Sequence, residues 1–209
     1  MLPYPSLQVG RLLRASTSGF IVGCQVGSIN QPSLGALVRV PLDGGYQVYG
    51  IIQDIQIDDD GLVRQLVTAA HVDASVVADN RYNRNVPVEM NALSVGYCQG
   101  DIISHLLPPK PPLSLDTIYL CNHEEIRTFT SSPRFGYFRH LLRMKEYPLA
   151  EILAAHLQQA YEAQKDQNPQ WITSAVQEII ILLRDDYSTL AAVLSALGDA
   201  LPQTWQEGR

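Results

Sequence analysis

An α+β architecture, a small N-terminal β-barrel over residues 1–107 followed by a compact all-helical domain over 116–209, is predicted by three features of the chain. Short apolar segments bounded by turn residues fill the first half, four prolines crowd into residues 108–112, and beyond them the apolar period lengthens to three or four.

Residues 9–14 read as an opening strand, and Ser16, Thr17, Ser18 and Gly19 turn it back into a return strand at Phe20, Ile21 and Val22. Alternation at 37–40 predicts a third strand. The turn Pro41-Leu42-Asp43-Gly44-Gly45 leads to a long one over 46–57, and Asp58, Asp59, Asp60 and Gly61 reverse the chain into a strand at 62–67. Residues 67–77 have room for one short helix. The polar run DNRYNRNVPV reads as a loop, with an edge strand at 86–90 because Pro87 has no N–H for a ladder. Residues 93–98 complete the sheet. Strands this short, returning every 8–15 residues or so, favour a closed barrel over α/β winding.

Residues 108–115 form a stiff connector that neither a helix nor a central strand can cross. After it, Asn122 and Glu125 have capping-box spacing. Residues 134–145 carry Phe135, Phe138, Leu141 and Leu142 on one face, and Pro148 opens a helix whose stripe includes Ile152, Leu153, His156, Leu157 and Ala160. Asn168 with Pro169 starts the next helix, lined by Ile172, Val176, Ile179, Ile180 and Leu183. Ser188 and Gly198 bracket the last.

Composition narrows the function classes. The 209 residues are 46% hydrophobic and 17% charged, so apolar burial can offset chain ordering without a covalent staple. Cys24, Cys98 and Cys121 are odd in number and far apart, which fits a reducing compartment. No basic segment followed by a long apolar run opens the chain. The longest run of large aliphatics, residues 179–183, is far short of the ~20 needed to cross a bilayer, so a cytoplasmic protein is expected. The net charge of −6 divides evenly between residues 1–107 and 108–209, which disfavours generic nucleic-acid binding by either half.

Known chemical motifs fail one by one. Neither GxxxxGK[ST] nor GxGxxG occurs, so no phosphate cradle is present. His123-Glu124 begins an HExxH zinc motif that breaks at Arg127. Cys121 and His123 lack further ligands nearby, and Asp58, Asp59 and Asp60 lack the Asp and Glu that a calcium loop needs at the positions of Gln56 and Val67. No metal and no cofactor is therefore expected. His71 and Asp73 would share one face of a strand, but no GxSxG elbow supplies a nucleophile. His156 falls on an apolar stripe, the place of a satisfied core histidine.

Residues 126–145 are the local exception in charge. Arg127, Arg134, Arg139, Arg143 and Lys145 sit there without an acidic residue, interleaved with Phe129, Phe135, Tyr137 and Phe138. Guanidinium forks and aromatic faces grip phosphates and carboxylates, stack on bases, and make interface hot spots. Three readings stay open: aromatics in the core beneath a solvated cationic face, a surface for a protein or an anionic pigment, and a nucleic-acid surface.

VGRLLRASTSGFIVG, LGALVRVPLDGGYQVYGIIQDIQIDDDGLVRQLV and ISHLLPPKPPLSLD together resemble the HAS-barrel, the N-terminal barrel of HerA-type DNA-translocating ATPases, across about residues 5–115. Val9-Gly10-Arg11-Leu12 matches the family's opening strand, Thr17-Ser18-Gly19-Phe20 its turn, Gly50-Ile51-Ile52 its G-x-V element, and residues 107–113 its proline-rich exit. In that family the barrel assembles or couples partners while a following motor domain hydrolyses ATP. Here the P-loop, its Lys and the magnesium carboxylate are missing, so the resemblance implies docking without hydrolysis. The whole chain is also similar to HAS-barrel proteins of cyanobacterial type, which implies a photosynthesis-associated role. The leading expectation is a noncatalytic protein-binding module, an assembly factor or adaptor, compatible with a homo-oligomer. The alternatives are an accessory factor for DNA or RNA processing, binding through residues 126–145, and an enzyme centred on His71 and Asp73.

Overall fold

The computed structural model describes residues 7–25, 32–59, 61–82, 87–131 and 134–201. The first hairpin forms as the alternation and turn predict, from β1 (Leu7–Ala15) and β2 (Gly19–Cys24). Ser16 locks its turn by accepting hydrogen bonds at Oγ from the backbone N–H groups of Ser18 and Gly19. Next come β3 (Leu37–Leu42), β4 (Tyr46–Ile57), β5 (Val88–Gln99), β6 (Ile102–Ser104) and β7 (Thr117–Leu120). The strand order is β2-β1-β7-β3-β4-β5, and β5 pairs back onto β2. Six antiparallel strands therefore close a barrel, which removes the open edges a flat sheet would present. β6 extends the far end of β5 as a short hairpin.

Three expectations are corrected here. Residues 62–67 are not a strand: α1 (Leu62–Thr68) occupies them, and α2 (Ala74–Tyr82) follows, taking the first residues of the run DNRYNRNVPV that reads as a loop. The antiparallel partner that the far end of β4 takes is β5, which pairs with it from Tyr46 to Ile57. The strand after Pro87 is not at an edge, because β5 pairs with β2, β4 and β6; Pro87 lies just ahead of it, where no ladder N–H is needed. The proline-rich stretch does not divide strands from helices. It straps along β1, with Leu115 N–H donating to Leu12 O and Ser114 Oγ–H to Leu13 O, and delivers β7 between β1 and β3. Four residues with little alternation gave no signal of a strand.

The helices are α3 (His123–Thr130), α4 (Phe138–Leu141), α5 (Leu149–Gln164), α6 (Trp171–Leu182) and α7 (Tyr187–Ala200). The capping box of α3 forms: Asn122 accepts from Glu125 N–H, and Glu125 accepts from Asn122 N–H, each at 2.9 Å. The expected helix over 134–145 shrinks to α4, since Phe135 takes φ +43°. α6 starts at Trp171, whose N–H donates to Asn168 O, so Asn168 and Pro169 belong to a turn before the helix. α7 is capped by Asp186 instead of Ser188 and runs through Gly198 to Ala200.

Two apolar cores share one barrel wall. Val9, Leu12, Phe20, Val22, Val38, Val48, Met90 and Ile118 fill the barrel interior. Leu37, Tyr49, Ile51, Val95 and Cys98, on β3, β4 and β5, point the other way into a core completed by α3 to α7, including Phe129, Phe138, Leu153, Leu157 and Trp171. At the joint, Gly35 takes φ +76°, and a Cβ there would lie 2.6 Å from the backbone nitrogen of His156. Only glycine lets the lead-in to β3 approach α5 so closely. Gly35→Ala is expected to destabilise the fold by about 2–4 kcal/mol in chemical denaturation, combining positive-φ strain with a backbone clash; a change below about 0.5 kcal/mol would contradict this packing.

Candidate functional site

The aromatic residues of the 126–145 segment are interior. Phe135 stacks on Phe138 at 5.2 Å and meets Trp171 edge-on, while Tyr137 is fully buried against Phe129, Phe138, His105 and His156. Tyr137 belongs to a polar chain. His156 Nδ1 lies 3.0 Å from Gly35 O, which can only accept, so Nδ1 carries the proton and Nε2 accepts from the Tyr137 hydroxyl at 3.2 Å. Burial pushes the His156 pKa down to about 4 and raises that of the Tyr137 phenol far above its ordinary value. His156 is a satisfied core histidine, as its place on the stripe predicts.

The cations separate into two groups. Arg127 donates from Nη1 to Ala163 O, fastening α3 to the end of α5, where Gln164 Nε2 returns a bond to Arg127 O. Trp171 Nε1–H donates to Thr130 O at 3.0 Å and ties α6 to the same place. Arg139 Nη2 and His140 Nε2 both donate to His105 O. Burial, with some repulsion from Arg139 and Arg143, holds His140 below the usual imidazole range. Arg127 and Arg139 are thus half-buried structural ties, whereas Arg134, Arg143 and Lys145 are exposed. Arg139 and Arg143 share no exposed surface with Phe135, Tyr137 or Phe138. No base can stack on Phe135, Tyr137 or Phe138, because the core encloses them.

The remaining motifs resolve into local structure. His71 and Asp73 lie exposed between α1 and α2, in a loop and not on a strand face. Asp73 accepts from Ser75 N–H and Ser75 Oγ–H, which lower its pKa. Asp59 accepts from Gly61 N–H and pairs with Arg64 at 2.6 Å; Asp60 lies outside the described residues. Cys121 is wholly buried, its thiol pushed up by desolvation, and His123 is exposed. Among the described residues no His, Cys, Asp and Glu side chains gather in a group able to hold a metal, and no helix is long and apolar enough to cross a membrane.

Among the described residues several surfaces expose apolar side chains or form grooves, and two of them combine apolar side chains with charged neighbours. The first is an apolar corner where α6 turns into α7. Ile180, Ile181 and Leu182 are 41%, 57% and 44% exposed, and Tyr187 is 81% exposed; Arg184 and Asp185 rim the corner. The second is a groove of about 570 Å³ between the β1–β2 hairpin and residues 143–147, lined by Arg14, Ser16, Ser18, Asn91, Arg143, Lys145, Glu146 and Tyr147 among others. Arg143 and Lys145 were legible in the sequence. Arg14 was not, because it reaches the groove through a register shift between Leu12 and Arg14 that has no composition signal.

No protein-family model matches the chain, and no curated protein matches it significantly.

The Tyr137–His156 bond yields two expected outcomes. Tyr137→Phe leaves Nε2 without its donor and should cost about 1–3 kcal/mol in denaturant titrations. The folded pKa of His156, about 4, lies below the ordinary 6.5, so the unfolded chain binds the extra proton between these values. Stability contributed by neutral His156 is complete above pH 6.5 and is lost as pH falls toward 4, and His156→Gln should flatten that limb of the stability–pH curve.

Proposed function

We propose that this chain is a noncatalytic protein-binding module, an assembly factor or adaptor that docks a partner through the apolar corner between α6 and α7. One observation carries this reading: three successive large aliphatics and a tyrosine within eight positions stand in solvent, although the neighbouring Ile179, Leu183 and Val193 are buried. Single exposed leucines on a surface are ordinary, whereas three large aliphatics and a tyrosine exposed within eight positions, with charged residues between them, have the composition of an interface centre. Tyrosine at 81% exposure loses little rotamer freedom on docking and offers both a ring face and a hydroxyl. The resemblance of residues 5–115 to HAS-barrels, in which the barrel assembles or couples partners, supports the same reading.

The test begins with the tagged full chain purified from its native host, followed by reconstitution of any stoichiometric complex from purified components. Ile181→Glu and Tyr187→Ser are expected to weaken that complex at least tenfold each, roughly the loss typical of a hot spot, while leaving the thermal midpoint of the free chain nearly unchanged. A complex of undiminished affinity in both variants, or a chain that is always recovered alone, overturns the reading.

A further inference from the structure

The groove between the β1–β2 hairpin and residues 143–147 is independent of the apolar corner, and its charges have no internal use. Arg14, Arg143 and Lys145 line it, and among the described residues none of the three forms an ion pair. Three exposed cations elsewhere are paired, Arg64 with Asp59, Lys165 with Glu162 and Arg184 with Asp185, while Arg11, Lys110 and Arg134 are exposed without an ion pair among the described residues but do not converge on this groove. Within the groove lining the opposing carboxylate is Glu146, so three cations less one anion leave +2. Asp54 also acts on the groove, adding to burial in raising the Tyr147 pKa; its carboxylate accepts from two neutral donors, Gln56 Nε2 at 2.7 Å and Ile55 N–H at 3.0 Å, so it keeps its charge and brings the local balance from +2 to about +1.

The backbone brings these cations together. In a regular strand Arg14 would share the inward face of Leu12, which is wholly buried in the barrel. Across the register shift after Leu12 both Leu13 and Arg14 are exposed, and Arg14 is among the residues lining the groove. On the opposite wall, Leu142 and Met144 N–H groups bond back to Phe138 and Leu141 O, so residues 143–147 continue directly from the anchored α4. Hydroxyl groups of Ser16 and Ser18 and the amide of Asn91 add neutral polar groups, and Leu93, Met144 and Tyr147 add an apolar floor. A concave, partly apolar site of this volume with a few converging polar groups is the usual form of a small-ligand pocket.

We propose that this groove binds a phosphate-bearing small molecule, its phosphate held by Arg14, Arg143 and Lys145 and its apolar part lying against Leu93, Met144 and Tyr147. The cations still outnumber the carboxylates, which selects an anion, and the three terminal oxygens of a phosphate can meet two guanidinium forks and an ammonium where a carboxylate offers only two.

Inorganic pyrophosphate is the probe, titrated calorimetrically into the full chain at roughly 20 mM salt, with sulfate and a single-stranded oligonucleotide as competitors. The expected result is 1:1 binding with Kd below about 1 mM, weakened at least tenfold by Arg14→Ala and by Arg143→Ala. Both side chains are exposed, so both variants should retain the parent's thermal midpoint and α6–α7 partner binding. No binding at about 1 mM, or binding that neither substitution weakens, overturns the proposal. Equal affinity for sulfate marks an adventitious ion only and also overturns it. An oligonucleotide that binds far more tightly than pyrophosphate, and is lost in the same variants, replaces the small-molecule reading with a nucleic-acid one.

Discussion

The wall of the barrel built from β3, β4 and β5 is apolar on both faces, and this constraint organises the rest of the molecule. Val38, Val48 and Met90 look into the barrel while Leu37, Tyr49, Ile51 and Val95 look away from it, so water on the outer side would meet a broad hydrophobic surface. The helices after β7 cover that surface. Most are too short to be stable alone, and they gain stability by burying a stripe against this wall or against a neighbour lodged there. Barrel and helices therefore form one continuous structure, in which β7 is threaded into the barrel before the chain turns outward to build its cover.

Polar contacts at the joint choose one docking geometry from the many that apolar packing would tolerate. Gly35 O, His156 and Tyr137 form a buried relay whose donors and acceptors are all matched in a single tautomer. Arg39 reaches from β3 to Glu125 of α3 at 2.5 Å while its guanidinium lies over the Tyr119 ring, joining three parts of the chain at one side chain. Arg127, Gln164 and the Trp171–Thr130 bond hold the far ends of α3, α5 and α6 together. Because these ties consume Arg127 and Arg139, the cationic run between 126 and 145 is divided between structure and surface.

The surfaces left over are consequences of that division. Arg143 and Lys145 project from a segment whose preceding residues are locked in the core, and the register shift in β1 adds Arg14 from the other side of the same groove. Farther along, the last turn of α6 carries a run of aliphatics of which Ile179 and Leu183 are buried while Ile180, Ile181 and Leu182 stay exposed among the described residues.

Local pattern was enough for the strand-then-helix order of most elements, the β1–β2 turn, the capping box at Asn122 and the core place of His156, because each is set by neighbours within a few residues. Alternation, cap spacing and an apolar stripe are local properties, and they survive whatever the rest of the chain does. Long-range packing settled that residues 62–68 coil into a helix, that β7 lies beyond the prolines, and that Phe135, Tyr137 and Phe138 face inward while Arg14 and Arg143 line one groove. Those outcomes depend on which ladder positions are already filled and which surfaces are already covered. Such competition between distant segments leaves no mark in any short stretch of residues.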